Sequence, residues 1–410
     1  MSSDNPLALP VTVARRAASG FWVVAFAFMI VMAFATLPSP LYGLYRVRDD
    51  LSAFTITIVY AIFAGGVIAA LLLVPSIARR IGRRGVMLAA VATMMASAGL
   101  LAAWKELPGL LLGRLTTGVA VGLVSGTATT YLIELRVRQD PNGSIVPARN
   151  IGTSVSVGAL GIGPLVAGCL AQWARAPLTV PYLLFVAFGA VALLGLASAP
   201  ETGAAGGQPS SSLLSARIPL PAAAATLAAF SANGLFAGLA GLFLAATLGH
   251  PSHALAGATL FVVFSMGVAA QLATTRLPAP RVLALGTTSM LIGLTLLVTA
   301  VRLSTPSLAL FLIAGALIGA GAGAVFKGTT GLVLEAAPPE QRLAMTSQLL
   351  IALFIGLSIP VIGAGVALDR GVSARDTVLG FAILVGPGVA GAGWALVGRK
   401  SPKPAITTIR

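Results

Sequence analysis

Apolar residues fall along this chain in long blocks that show neither the alternation of a half-buried strand nor the one-sided stripe of a surface helix. Twelve blocks stand out, at 19–41, 54–78, 85–104, 108–135, 150–173, 180–199, 219–247, 254–275, 282–302, 306–335, 344–368 and 377–398. Each reaches or approaches the roughly 20 residues that cross a hydrocarbon core as a helix. The pattern predicts an all-α polytopic membrane protein of twelve transmembrane helices, with both termini on one side. Residues 5–19 are polar enough to stay outside the bilayer. Ala33-Phe34-Ala35 imitates a signal-peptide cleavage site, but removing the first block would break the even count, so it is read as a span.

Composition agrees. Of 410 residues, 57% are hydrophobic and 9% charged, and mean hydropathy is +0.96, far from the soluble globular mix and opposite to disorder. Twelve spans use about 240 residues and leave no room for a large soluble domain. One cysteine, Cys169, excludes an intramolecular disulfide, and with His250 and His253 the only imidazoles, neither a structural metal nor a cofactor is expected.

The net charge of +15 first suggests nucleic acid, but its distribution says otherwise. Counted loop by loop, 17 Lys and Arg lie on the side of the termini, among them Arg15, Arg16, Arg79, Arg80, Arg83, Arg84, Arg399, Lys400, Lys403 and Arg410, against 7 on the other side. By the positive-inside rule both termini are cytoplasmic, in an inner membrane. The excess is a topology signal, and no nucleic-acid partner is expected.

The longest connection on that side, Pro200 to Leu220, is rich in Gly, Ser, Ala and Pro and reads as a flexible linker. It divides the chain into 1–200, a linker at 201–218, and 219–410, six spans to each half. Shifting the chain by 201 residues lays Gly118, Gly122, Val124, Thr129 and Glu134 on Gly319, Gly323, Val325, Thr330 and Glu335, five identities in seventeen positions. The aligned segments are the fourth span of each half. Two related six-helix halves are one architecture of secondary transporters.

After the second span, Arg80-Ile81-Gly82-Arg83-Arg84 forms a tight basic turn. Here the chain resembles the major facilitator superfamily, whose loop between helices 2 and 3 reads G-x-L-x-D-R-x-G-R-R. Arg80, Gly82, Arg83 and Arg84 match, whereas Arg79 stands where the family has an aspartate that helps hold its halves together. Arg114-Leu115-Thr116-Thr117-Gly118 resembles the family's R-x-x-x-G signature. Gly163-Pro164 with Gly168 is similar to part of the G-P-x-x-G-G pattern of its antiporters, with Ala167 in place of one glycine, and Pro200-Glu201-Thr202 is similar to a run common in drug-efflux members. The resemblance implies two pseudo-symmetric six-helix bundles and a resemblance to the drug/proton antiporter branch.

Each match has a physical reading. Glycines 118, 122 and 126 lie on one helical stripe and let a neighbouring backbone approach, either as static packing or as a moving surface. Pro164 removes a backbone donor, which lipid tolerates only where a neighbour satisfies the freed carbonyl, and Gly163 and Pro164 are candidate gate residues.

Only Arg114 and Lys327 are ionisable and well inside spans. A central cation costs about 2.5–3.5 kcal/mol on insertion scales, so it faces a polar cavity or a partner; snorkelling is the alternative. Lys327 occupies the repeat position of Gly126, and we expect it to contact substrate or to titrate. No carboxylate lies in a span centre. Glu134 and Glu335 sit at helix ends and are expected to pair with Arg83 and Arg276, holding or releasing an inner gate together with Arg80 and Gly82. Asn233, Tyr60 and Gln271 are candidate cavity residues, although interhelical hydrogen bonding is the commoner use of a buried Asn or Gln.

The expected function is secondary transport of a small molecule by alternating access, acting as a monomer in the lipid bilayer. On the resemblance this is proton-coupled efflux of an amphipathic organic compound. Two cations and no carboxylate in the membrane point alternatively to an anionic metabolite or organic acid moved without protons. A non-transporting membrane sensor is a third class. An intramembrane enzyme lacks a nucleophile, base or metal cluster at suitable depth.

Overall fold

The computed structural model describes residues 11–202 and 216–397. The middle of the linker, 203–215, and Arg399, Lys400, Lys403 and Arg410 of the basic tally lie outside the described residues.

The first six spans comprise α1 (Val11–Thr36), a short turn of 3-10 helix (Ser39–Leu41), α2 (Tyr42–Asp49), α3 (Ala53–Ala103), α4 (Leu107–Ser125), α5 (Ala128–Gln139), α6 (Val146–Trp173) and α7 (Val180–Ser198). The last six are α8 (Leu220–Ala246), α9 (His253–Ala273), α10 (Ala279–Arg302), α11 (Leu308–Ala336), α12 (Arg342–Asp369) and α13 (Ala374–Val397). Among the described residues, eleven helical stretches are long and apolar enough to cross a membrane.

One of the eleven is two spans. The 51 residues of α3 would extend about 77 Å as one rod, against a hydrocarbon core of about 30 Å. The rod folds back at Gly82, whose φ of 73° and ψ of 178° are not helical. That conformation is open to glycine and strained for any other residue, and a Cβ there would collide with the Glu201 carboxylate. Twelve spans result, as the blocks predict.

Three local expectations change. The first helix begins at Val11 instead of residue 19. The connection after span 1 holds an extra helix, α2, whose charged residues hid it from a search for apolar runs. Span 4 is broken between Ser125 and Ala128 into α4 and α5.

The two sets of spans pack as two bundles with the same internal pattern. Helix α1 lies against α5 and α6 as α8 lies against α11 and α12; α7 packs on α3 as α13 packs on α10. The bundles meet along two seams, α6 against α9 and the first limb of α3 against α12. We call the ends carrying Gly82, Pro200 and Leu220 the linker face, and the opposite ends the distal face.

Close backbone packing within each bundle explains the glycine stripe. A Cβ on Gly118 would overlap the Phe63 carbonyl and stand 3.0 Å from the Gly66 Cα; one on Gly122 would lie 2.6 Å from the Val67 carbonyl oxygen. The repeat partners Gly319 and Gly323 meet Val263 and Gly267 of α9 in the same way. The stripe is therefore packing of span 4 on span 2 inside a bundle, and of span 10 on span 8. The seam between bundles uses other residues.

Pro164 has no N–H to give to Leu160, four residues earlier. The Thr36 hydroxyl, at the end of α1, donates to that freed carbonyl at 2.6 Å in a buried setting. Thr36→Val keeps the shape and removes the donor, and is expected to lower stability by about 1–3 kcal/mol, read as a fall in melting temperature in detergent; an unchanged melt would mean that another group satisfies Leu160.

Candidate functional site

Arg114 is the largest fully buried side chain among the described residues, 1% exposed, so it does not snorkel. It projects from α4 between α1 and α3. Nη1 donates to the Ala35 carbonyl at 2.6 Å and Nη2 to the Tyr60 carbonyl at 3.5 Å. Ala35 is in the last turn of α1, where carbonyls lack helical partners and the helix carries partial negative charge. The guanidinium carbon also lies 4.7 Å from the centroid of the Phe63 ring and 5.8 Å from that of Tyr60, both cation–π distances. A helix end and two aromatic faces thus replace the carboxylate that the spans lack. Nε is buried without a hydrogen-bond partner.

Tyr60 is the sequence candidate that the structure brings to Arg114. Its ring meets Tyr42 edge-on at 6.5 Å and faces Gly238 of the other bundle, where an added Cβ would stand 3.6 Å away. Below it, Phe63 and Phe354 of α12 meet edge-on across the seam at 5.7 Å. Asn233 lies on α8 about one and a half turns from Gly238, 2% exposed. The interhelical hydrogen bonds expected of Asn233 and Gln271 do not form: Asn233 Oδ1 and both polar atoms of the Gln271 side chain are buried and unpartnered. For Asn233 this leaves a buried acceptor without a protein donor on the helix that carries Gly238.

Lys327 is in the other bundle and elsewhere. Its Nζ donates to the Gln271 carbonyl and approaches the hydroxyls of Thr274 and Thr275 at 3.3 and 3.4 Å. It therefore sits on the C-terminal end of α9, favourable ground for a cation. Both intramembrane cations neutralise the end of a neighbouring helix, a use that sequence spacing does not reveal.

At the linker face, Arg83 pairs with Glu134 at 3.4 Å, as expected. Glu201 does more. Its two carboxylate oxygens accept from the backbone N–H groups of Arg83 (2.8 Å) and Arg84 (3.0 Å), capping the helix that restarts after Gly82. Tyr131 donates to the Pro200 carbonyl at 2.7 Å, and Thr202 donates to Glu134. Spans 3, 4 and 6 are thereby tied together, all in one bundle. Arg80 is exposed and has no ion pair among the described residues. Glu335 and Arg276 form no ion pair, so the expected second-half counterpart of Arg83–Glu134 is absent among the described residues.

The described hydrogen bonds that cross between bundles lie at the distal face. Asp369, at the end of α12, accepts from the N–H groups of Ala53 (3.0 Å) and Phe54 (3.2 Å), which open α3. Gln172, near the end of α6, accepts from the N–H of His253 at 3.1 Å, which opens α9, and from the Ser252 hydroxyl at 3.3 Å. His253 Nδ1 is 3.2 Å from the Pro40 carbonyl oxygen. Gly163 packs on the Ala33 carbonyl of its own bundle, whereas the Pro164 carbonyl and Gly168 abut Gly257 of α9. The antiporter-like run thus sits partly on the seam. Above these contacts is a distal vestibule of about 900 Å³, lined from both bundles by residues including Tyr42, Arg46, Asp50, Gly238, His253 and Asp369. Tyr42 and Tyr60 stand between it and Arg114.

Sequence reading missed Asp369, Gln172, Tyr42, Phe63 and Phe354. A signal existed for one of them. Aspartate at the C-terminal end of a helix is unfavourable for that helix, and so points to a partner outside it.

Comparison with known proteins follows the same lines. Residues 20–136 match the family model described as "Sugar (and other) transporter". No curated protein matches the chain in sequence. Among solved structures, the nucleoside transporter NupG is similar at a TM-score of 0.66 with 15% identity, covering 94% of this chain and all of the other. A point mutant of NupG gives a TM-score of 0.68 with 12% identity, covering 92% of this chain and 98% of the other. At these identities the likeness is one of fold.

Proposed function

We propose that this chain is a membrane transporter of the major facilitator type, and that it moves a small organic molecule by alternating access, its two bundles tilting around a site bounded by Arg114, Tyr60, Phe63, Phe354 and Asn233. The observation that carries this reading is the one-sided seam: the described hydrogen bonds between bundles gather at the distal face. Breaking them frees that face to open. Charge distribution supports a cytoplasmic linker face in an inner membrane, which makes the distal face the outer one. The Arg83–Glu134–Thr202 cluster serves the inner gate by keeping spans 3, 4 and 6 together as they move.

The substrate class that fits best is an amphipathic organic compound, exported in exchange for protons. Aromatic rings dominate the site, and Arg114 and Lys327 already have helix ends as partners, so neither requires an anion. Exchange for protons is carried by the resemblance of the Gly163-Pro164 run and of Pro200-Glu201-Thr202 to efflux antiporters. A second reading, an anionic metabolite without proton coupling, is favoured by the unpartnered Nε of Arg114. Purified protein in proteoliposomes, challenged with a panel of cationic, neutral and anionic compounds across a pH gradient, separates them. Substrate-dependent collapse of the gradient by amphipathic compounds supports the first; uptake of anions with the gradient intact supports the second; binding without movement sinks both.

Lys327 is proposed to hold the end of α9 against α11. Lys327→Ala is expected to lower stability by about 0.3–2 kcal/mol with KM for substrate unchanged. A raised KM at unchanged stability would return Lys327 to the substrate site.

A further inference from the structure

Alternating access needs contacts that hold one face shut and can be released, and the distal seam contains two built to the same plan. In each, a serine opens a helix and caps it with its own side chain: Ser52 accepts from the N–H of Thr55 at 3.1 Å, and Ser252 from that of Leu255 at 3.2 Å. In each, the helix start is completed by a side chain from the opposite bundle, Asp369 on α3 and Gln172 on α9. The first turn of a helix leaves N–H groups without partners and carries partial positive charge, so each contact is a cap that exists only while the bundles touch.

The two caps differ chemically. Gln172 is an amide and keeps its acceptor at every pH. Asp369 offers two charged oxygens, each taken by a different N–H, and it is exposed to the distal vestibule. Protonation removes its charge and turns one oxygen into a donor facing a donor. Its place at the end of α12, against the dipole of its own helix, leaves the opposite bundle as its use.

We propose that Asp369 is the proton-sensitive latch of the distal gate, holding the first turn of α3 when ionised and releasing it when protonated. The inference rests on the alternating-access reading. Charged groups around it are Arg46 and Asp50 from the segment after span 1, His253 from α9 and Arg370 beside it on its own chain. The Arg46 guanidinium is turned to the Leu51 carbonyl at 3.3 Å. His253 donates from Nδ1 to the Pro40 carbonyl in its charged form, so protonating His253 does not release its contact.

The test is a spin-label distance measurement in the full chain with Cys169→Ser. One label pair reads the distal face (Ala176→Cys with Ser304→Cys); a second reads the linker face (Asn142→Cys with Arg276→Cys). Lowering pH from about 7.5 is expected to raise the long-distance distal population, by about fivefold once the carboxyl is protonated, the factor for a charge on a helix end. Asp369→Asn is expected to show the raised population at every pH with no further response, Asp369→Glu to restore the response, and His253→Gln to leave it intact. An Asp369→Asn distribution that tracks the parent at every pH overturns the latch. The linker-face pair reports separately on alternating access: if it stays fixed while the distal pair lengthens, that reading fails and the latch stands.

Discussion

Replacing Gly118 by leucine is expected to abolish recovery of folded protein, while the same change at Gly65 is tolerated. Both glycines belong to the spans that form the α3–α4 contact. At Gly118 the first side-chain carbon overlaps the Phe63 carbonyl and crowds the Gly66 Cα, whereas at Gly65 nothing stands within 4 Å. Backbone cannot rotate away as a side chain can, so the whole of span 4 would have to retreat from span 2. Overpacking a well-filled core costs about 1–3 kcal/mol when side chains can shift, and a backbone obstacle sets a larger cost. In a bilayer that loss is not offset by a hydrophobic drive between helices, because packing itself drives helix association there. Gel filtration and a thermal melt of the two variants decide the matter. A Gly118→Leu protein that elutes and melts like the parent would show that the spans are not in close backbone contact.

The second large effect is expected at Arg114. Arg114→Leu should leave a folded protein whose transport falls by about tenfold or more, the weight of a hydrogen bond to a charged group. The two halves of this expectation have separate causes. Removing the guanidinium leaves the Ala35 carbonyl without its donor, a cost of about 1–3 kcal/mol, which the relief of the ion's desolvation offsets. Function suffers because the guanidinium joins the end of α1 to α3 beneath the Tyr42–Tyr60 pair. Without it the distal end of span 1 loses its tie to span 2, and Tyr60 loses the cation against its ring. Arg114→Lys is expected to recover little, because one ammonium cannot reproduce a planar fork directed at two carbonyls. Transport rates and melting curves measured on the same preparations check both halves. Full transport by Arg114→Leu would remove Arg114 from the site.

How much of this was legible in the sequence differs by level. The twelve spans were, because a lipid-exposed helix has to be apolar along its whole length and that property survives without any knowledge of neighbours. The bend at Gly82 was half legible: a basic turn with one glycine was visible, but its positive φ and the Glu201 cap depend on where span 6 ends. Arg83 with Glu134 was readable because one family-like loop and one helix-end carboxylate had few other partners. Glu335 with Arg276 followed the same logic and failed, since the repeat preserves the backbone plan and not each ion pair. Arg114 and Lys327 were found by their rarity, yet their partners are main-chain carbonyls, which every residue carries and no sequence displays. The partners of Asp369 and Gln172 were invisible for a related reason: N–H donors at a helix start have no letter, and only the charge of Asp369 at the wrong end of its helix pointed outward.

The ties among spans 3, 4 and 6 also give the first bundle the mechanics of a lever. Arg83, Glu134, Glu201 and Thr202 fasten the linker-face ends to one another, so a push on any one of them turns the set. A 28-residue helix such as α6 is about 42 Å long, roughly ten times the reach of a hydrogen bond. With a pivot near the Pro164–Gly257 contact, about a third of the way from the distal end, a displacement just large enough to part Asp369 from Ala53 becomes a sweep about twice as large at the far end of the arm. On the proposed alternating-access movement, a cap a few ångströms across therefore controls an opening at the other face about twice its own displacement.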